Sequence, residues 1–259
     1  MDDAAVLAVL EEADASPSLP RLGGVARPGG VAIVSEQVWV YSRTDGELSG
    51  GTTPQPPTLL TRVPLIRGLI KLGISLAPMF RRGGVSGPRE RLVLLAALLA
   101  PVPLFAAPSA ARTPIAAVLT LGLILWMLRG RTLRLHGAEH RAIAAAEQRS
   151  LVDTWHGLTK PSRFSPRCGT NFAALLLPVS AVLDRFWLLP TTWLTPVLVT
   201  LASLMFTMEL WLAAQRLLTS VGRFLMLPGM LLQRLTTREP RLEDTRVALR
   251  AVAEVLSRR

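Results

Sequence analysis

The stretch WLTPVLVTLASLMFTMELWL, residues 193–212, decides the fold class that the sequence predicts. It has about the 20 predominantly apolar residues that an α-helix needs to cross the hydrocarbon of a bilayer. We therefore expect a membrane-spanning helix. Glu209, near the end of this stretch, is also a candidate site residue, because an ionisable group at membrane depth usually lines a cavity or meets a partner.

Three further apolar runs lie upstream, at residues 92–107, 114–128 and 172–190. The first two are somewhat shorter than a full span, and Pro101 and Pro103 predict a kink or a break in the first of them. We expect about four transmembrane helices, arranged as hairpins over 92–128 and 172–212. The predicted fold class is thus a mainly α integral membrane protein.

The basic residues between the apolar runs predict the topology. The short loop 108–113 holds one basic residue and the loop 191–192 holds none, whereas the segments 129–171 and 213–259 are strongly basic. Short loops that are rich in Arg and Lys tend to stay in the cytoplasm. We therefore expect a multi-pass protein of the bacterial plasma (inner) membrane, with the central segment and both termini on the cytoplasmic side.

The overall composition agrees with a membrane protein. The net charge is +11, although 50% of the residues are hydrophobic. The basic residues cluster at the ends of the apolar runs, where they would face anionic headgroups, and there are few aromatic residues to stack on bases. We expect membrane lipids as partners and no DNA. The single cysteine, Cys168, excludes an intramolecular disulfide.

Smaller elements are predicted outside the apolar runs. In the cytoplasmic N-terminal region 1–62, residues 29–48 alternate apolar and polar side chains in places and end in a turn signal, which predicts a small β element before a Pro-rich linker. In the region 63–91, residues 65–80 are amphipathic and suit an interfacial helix.

The C-terminal region 213–259 predicts two more cytoplasmic helices. Residues 221–235 resemble an interfacial helix, and residues 239–259 predict a charged amphipathic helix whose apolar side packs on the cytoplasmic domain.

The central segment begins with TLRLHGAEHRAIAAAE, residues 132–147, which contains two of the three histidines. In a helix, Glu139 and His140 lie three and four residues after His136 and share roughly one face with it; Glu147 follows on that face. Two such histidines can bind one divalent ion, and the order His-x-x-Glu-His matches the inverted zinc-protease motif. The alternative is a solvated juxtamembrane helix with Glu139 paired to nearby arginines.

The loop PSRFSPRCGTNF, residues 161–172, offers a third metal ligand, Cys168, on the same side of the membrane. Neighbouring arginines could stabilise its thiolate, and zinc accepts His and Cys ligands while a catalytic site leaves one position to water. The alternative is an arginine-rich loop that holds lipid phosphates, with Cys168 as a small buried residue. The supporting or anion-binding side chains of this loop are Arg163, Arg167 and Asn171. His156 is expected to be an ordinary loop residue.

With these motifs, the chain resembles the YqhQ-like family of bacterial multi-pass membrane proteins, whose function is not settled and which is sometimes labelled a metal-dependent enzyme. The resemblance rests on HGAEHRAI, on SRFSPRCGTNF, on LPGMLLQRLTTREP (residues 227–240) and, more loosely, on GGVA and RTDGEL near the N-terminus. One position departs from the family pattern: Gly29 stands where relatives usually have a glutamate, with Glu36 as a candidate substitute. This departure counts against enzymatic activity.

Two functions are left open. The first is a membrane-embedded, metal-dependent hydrolase of peptide or lipid-linked substrates, with zinc held by His136, His140 and Cys168 or an acidic residue, and with Glu139 as the base. The second is a non-enzymatic membrane scaffold, or an assembly or insertion factor, that binds lipid headgroups, a ribosome or a membrane-protein partner. A homo-oligomer is compatible with both, and transport would require one.

Overall fold

The computed structural model describes residues 1–56, 59–80, 84–99, 107–127, 130–216 and 220–258. This part of the chain is mainly helical and has one small antiparallel sheet near the N-terminus. The predicted fold class is confirmed at that level.

The sheet is a meander of four strands in sequence order: β1 (Gly23–Arg27), β2 (Gly30–Val34), β3 (Val38–Arg43) and β4 (Leu48–Thr52). β1 and β2 are joined by a two-residue turn, since Arg27 pairs with Gly30. Position 30 needs a glycine, because a Cβ there would lie 2.1 Å from the carbonyl oxygen of Ser42 on β3. The β element predicted over 29–48 is confirmed and extends further at both ends.

Ten helices lie in the described part of the chain: α1 (Asp3–Ala15), α2 (Ile66–Phe80), α3 (Pro88–Leu99), α4 (Ser109–Met127), α5 (Thr132–Gln148), α6 (Leu151–His156), α7 (Gly169–Arg185), α8 (Thr195–Arg216), α9 (Ser220–Thr236) and α10 (Leu242–Ser257). Each helix predicted from periodicity is present. The central segment 129–171 holds α5, at the position of the predicted helix 132–147, and also α6.

The main core lies in what we call the sheet region, the described residues of 1–56, 130–160 and 237–258. There α5 and α10 pack on the sheet, and α1 packs on α10. Leu135 of α5 and Leu249 and Val252 of α10 are fully buried. The last helix is amphipathic, as predicted, and it packs on the sheet because its apolar positions recur on the side that faces the sheet.

The other described residues, 59–127 and 161–236, form what we call the apolar-helix region. In it α7, α8 and α9 pack together, α2 packs on α8, and α3 contacts α4. Among the described helices, α8 alone is long and apolar enough to cross a membrane.

The helices at the other three predicted spans have different bounds: α3 begins four residues before its apolar run, at Pro88, and α4 begins five residues before its run, at Ser109. α7 ends at Arg185, five residues before the predicted end of its span, and Leu188 beyond it is 94% exposed. The kink expected at Pro101 and Pro103 lies outside the described residues.

Candidate metal centre

α5 carries its predicted site residues on a buried helix. Twelve of its seventeen residues are buried, and His136, Glu139 and His140 are each 7% exposed or less. The expectation of a solvated helix face is therefore wrong for these three residues. A buried polar side chain costs free energy unless it has a hydrogen-bond or metal partner.

Each histidine makes one hydrogen bond to a backbone carbonyl. Nδ1 of His136 lies 2.8 Å from the carbonyl oxygen of Thr236, and Nδ1 of His140 lies 2.7 Å from that of Arg163. A carbonyl oxygen can only accept, so both Nδ1 atoms carry a proton, and Nε2 is the ring atom of each histidine that could bind a metal. Histidines that bind metals are held in the same way by carbonyls or carboxylates.

Cys168 completes the cluster. Its Sγ lies 3.3 Å from Nε2 of His136, and the ligand atoms of His136, His140 and Cys168 all lie within 4.8 Å of one another. With metal bonds of about 2.0–2.3 Å, the ligand atoms of a tetrahedral zinc ion stand roughly 3.3–3.7 Å apart. Small side-chain rotations would therefore suffice for the three residues to share one ion.

The sulfur has two donors of its own. Cys168 is the N-cap of α7, and its Sγ accepts hydrogen bonds from the backbone N–H of Thr170 at 3.5 Å and from the Thr170 hydroxyl at 3.2 Å. Donors at a helix N-terminus stabilise negative charge on a thiolate, the form in which cysteine binds metals.

Glu139 lies near His136 on α5 and contacts β1. Burial raises the pKa of its carboxyl group to about 7, although His136 and a hydrogen bond from the backbone N–H of Ala26 both favour the charged form. A Cβ at position 24 would lie 2.8 Å from Cγ of Glu139, so Gly24 leaves the space that this side chain occupies. The cluster of three ligand atoms does not include the carboxylate of Glu139.

Two predicted supporting residues position the cysteine loop. Asn171, 1% exposed, donates hydrogen bonds of 3.0 Å to the carbonyls of Ser165 and Pro166. Arg163 donates to the carbonyl and the hydroxyl of Thr237, at 2.7 and 2.8 Å. These bonds hold the loop against the end of α9.

The other predicted supporting residues lie apart from the cluster. Arg167 forms an ion pair with Glu147 at the protein surface. Glu209 of α8 accepts hydrogen bonds from Arg67 and from the backbone N–H of Leu65, so it ties α2 to α8.

Two more of the residues considered from the sequence are exposed. Glu36, the candidate substitute for the family glutamate, lies in the turn between β2 and β3. His156 is exposed as well, and it is the last residue of α6 instead of a loop residue.

Sequence reasoning missed the contribution of residues 227–240. Gln233 is fully buried and its amide makes two hydrogen bonds with the backbone of Ser165, accepting from its N–H at 2.9 Å and donating to its carbonyl at 2.8 Å. Glu239 pairs with Arg141 at 2.7 Å. A glutamine inside the apolar run MLLQRL was the available signal.

The same segment lies directly on α5. A Cβ at position 137 would lie 2.3 Å from the carbonyl oxygen of Arg238, so Gly137 allows this close approach. The backbone N–H of Arg238 in turn donates to the carbonyl of Leu133 at 2.9 Å. Together, the three separated sequence motifs meet at one place.

The fold and the site define a mainly helical protein with a small N-terminal sheet and a buried cluster of two histidines and one cysteine. The chain belongs to the DUF1385 family, described as proteins of unknown function, whose model matches residues 115–258. That range contains the three ligands, Glu139 and the segment 227–240, while the sheet lies outside it. No solved structure matches the chain significantly.

A curated relative agrees with this assignment. The Uncharacterized protein YqhQ of Bacillus subtilis (strain 168) is 31% identical over 150 residues, which cover 54% of this chain and 46% of that protein. The chain thus matches somewhat less than half of the relative's length. The resemblance to a YqhQ-like family is confirmed.

Proposed function

We propose that this chain is a membrane protein that binds a divalent metal ion, zinc foremost, through His136, His140 and Cys168. The observation that carries the proposal is the orientation of the two histidines. Backbone carbonyls hold both Nδ1–H groups, and Nε2 of His136 faces the cysteine sulfur. A buried cluster with this pattern fits the ligand set and the outer hydrogen bonds of zinc sites.

The proposed activity is hydrolysis of a peptide or lipid-linked substrate at the cytoplasmic membrane surface. Zinc held by three protein ligands supplies a fourth position at which a water molecule is activated near neutral pH. Glu139 supports this activity as the proton-accepting group, because it is buried beside His136 and its pKa is about 7, within the range of general bases.

A second function, a non-enzymatic scaffold, is favoured by the burial of the centre. His136, His140 and Cys168 are 8% exposed or less. They come from α5 and from the start of α7, and His136 also binds the end of α9. An ion there would fasten these segments, as structural zinc does. Gly29, in place of the family glutamate, also favours this function.

We further propose four membrane spans, with both termini on the cytoplasmic side of the plasma membrane. Support comes from the apolar-helix region, where α4 has exposed side chains such as Val118 at 69% and Leu125 at 59%. Large apolar surfaces of this kind are rare on proteins that face only water.

Metal analysis of the detergent-purified chain tests the centre. We expect about one zinc per chain in the natural protein and in the control His156→Ala, which changes an exposed histidine. The double variant His136→Ala, His140→Ala should contain none while it keeps its helical circular dichroism. A chelator-free preparation that is folded and free of metal would refute the proposal.

The variant Glu139→Gln separates the two functions. In a hydrolase it keeps the zinc but loses turnover on peptide and lipid-linked substrate libraries. If the protein is a scaffold, even the natural zinc-loaded protein hydrolyses no substrate in these libraries. Removal of the zinc by a chelator should then lower the unfolding midpoint, since a bound ligand stabilises the folded state.

Alkaline phosphatase fusions test the topology. The enzyme is active only outside the cytoplasm, so we expect activity for fusions after residues 110 and 191 and none for fusions after residues 150 and 258. Activity at residue 150 would contradict the cytoplasmic position of the metal centre.

A further inference from the structure

A second polar site lies at the C-terminal end of α5. It is a cavity of about 200 Å³ between this helix and the segment 19–22. Apolar side chains form part of its wall, and its charged lining consists of Arg21, Glu147, Arg149 and Arg167. The three arginines come from three different segments of the chain, so the fold and not a local charge run brings them together.

The charges around this cavity do not balance. Three guanidinium groups face one carboxylate, and that carboxylate, Glu147, is paired with Arg167. Arg149 uses one N–H on the carbonyl of Ala146, at 3.0 Å. Within the described residues, Arg21 has no hydrogen bond or ion pair with an acidic group.

Arg21 and Arg167 come from different segments but line this one cavity, so their guanidinium groups lie near each other. Like charges that the fold holds together repel each other, and a bound anion removes that repulsion. Arginine is well suited to this role, since its planar group binds phosphate through two parallel hydrogen bonds.

The backbone of Arg149 gives an independent indication. This residue follows α5 in the left-handed conformation, with φ 55° and ψ 47°. Helices commonly end on a glycine in this conformation, which is costly for residues with a Cβ. The chain nevertheless has an arginine here, with its side chain at the cavity.

We propose that this cavity binds a phosphate group, a monoester or a diester, through Arg21, Arg149 and Arg167. The site uses none of the three metal ligands, so the inference does not depend on the proposed metal centre. Arg21 also lines a larger cleft of about 400 Å³ between the sheet and α2, where Val25, Ile74 and Met79 form apolar walls. A lipid with its headgroup phosphate at the arginines and an acyl chain in the cleft would occupy both cavities.

Calorimetric titration of the full chain in nonionic detergent at low ionic strength tests the site. The probes are inorganic phosphate, glycerol 3-phosphate and dihexanoyl phosphatidylglycerol. We expect Arg21→Gln to weaken binding about tenfold, the usual effect of removing one charged hydrogen-bond donor. The control Arg43→Gln removes the same charge from the β3–β4 hairpin and should bind as the natural chain does.

A second variant separates binding from folding. Arg149→Gly should also lose about tenfold in affinity, yet its unfolding midpoint should stay equal or rise, because glycine accepts the left-handed conformation without strain. Full affinity in Arg149→Gly would overturn the proposal.

The pattern of probes identifies the source of the phosphate. Binding of glycerol 3-phosphate as tightly as the lipid indicates a soluble ester, and at least tenfold tighter binding of the lipid indicates a headgroup. Absence of binding by all three probes, or equal losses in Arg21→Gln and Arg43→Gln, refutes the site. Zinc measured in the same samples reports on the metal centre separately, so failure of one proposal is distinguishable from failure of the other.

Discussion

In the sheet region the large apolar side chains are buried, whereas in the apolar-helix region many of them are exposed. Leu135 and Leu249 are fully buried in the former, while Val118 and Phe224 in the latter are 69% and 73% exposed. Apart from Met1, Leu158 and Leu242, every exposed large hydrophobic residue of the described chain lies in the apolar-helix region.

This difference indicates the kind of solvent in which each region is stable. Burying apolar area stabilises a protein in water by roughly 25 cal/mol per Å², so an exposed leucine or valine forgoes that gain unless another apolar phase covers it. The sheet region buries its apolar side chains within the chain, and the exposed apolar side chains of the apolar-helix region support the membrane proposal. The candidate metal centre joins them, since its histidines belong to the first region and Cys168 to the second.

The largest expected difference concerns core truncation. Leu249→Ala should lower the free energy of unfolding by about 2–5 kcal/mol, because it leaves a cavity in the core. The matched variant Leu119→Ala, at a position 51% exposed on α4, should change it by less than about 0.5 kcal/mol in detergent. Denaturant titration by circular dichroism gives both values. Similar losses of stability in the two variants would mean that Leu119 is packed as Leu249 is, and that the two regions do not differ in burial.

Two helical glycines, one in each region, allow the same substitution to be compared. Gly137→Ala forces the segment of Arg238 away from α5 and should cost about 1–3 kcal/mol, because the obstacle is a backbone carbonyl 2.3 Å from the new Cβ. It should also lower zinc content, since Thr236 beside that segment holds His136. Gly122→Ala on α4 meets nothing within 4 Å and should be neutral or stabilising by up to about 1 kcal/mol. Unfolding and metal analysis check both variants.

The smallest expected effect concerns the cap of α1. Asp2 accepts a hydrogen bond of 2.8 Å from the backbone N–H of Ala5, and Asp2→Ala should cost about 1 kcal/mol. The measurement uses a variant in which Trp155, 2% exposed in the sheet region, is the one remaining tryptophan. Its fluorescence should show a lower unfolding midpoint when Asp2 is replaced. In the matching variant that keeps Trp193, 77% exposed in the apolar-helix region, the unfolding midpoint should not change. An equal shift at both would show that the two regions unfold as one unit.

Much of the fold could be predicted because its signals are local. Alternating side chains predicted the sheet, and the spacing of apolar residues predicted the helix at 239–259. The boundaries were less predictable: the apolar run 172–190 continues past Arg185, where α7 ends, since hydropathy does not report where backbone hydrogen bonding stops.

The candidate site was predictable only in part. His136, His140 and Cys168 could be nominated because imidazole nitrogens and thiolates are the ligands that zinc most often takes in proteins. Gln233 is unusual inside the run MLLQRL, but its role could not be assigned, since an amide has no characteristic spacing and its partner, Ser165, is 68 residues away. The role of Glu209 could not be predicted either, because its partner, Arg67, lies on a helix that is distant in the sequence.

By itself, the sequence determined that the chain is mainly helical, that it has a small β element near its N-terminus and which residues could bind a metal. These follow from residue types and their periodicity, which act over a few residues. Tertiary structure alone decided that three distant motifs meet, that α5 is buried and that Glu139 contacts β1. Such contacts depend on packing between segments far apart in the chain, and glycines at positions 24 and 137 allow the close approaches only because of what lies opposite them.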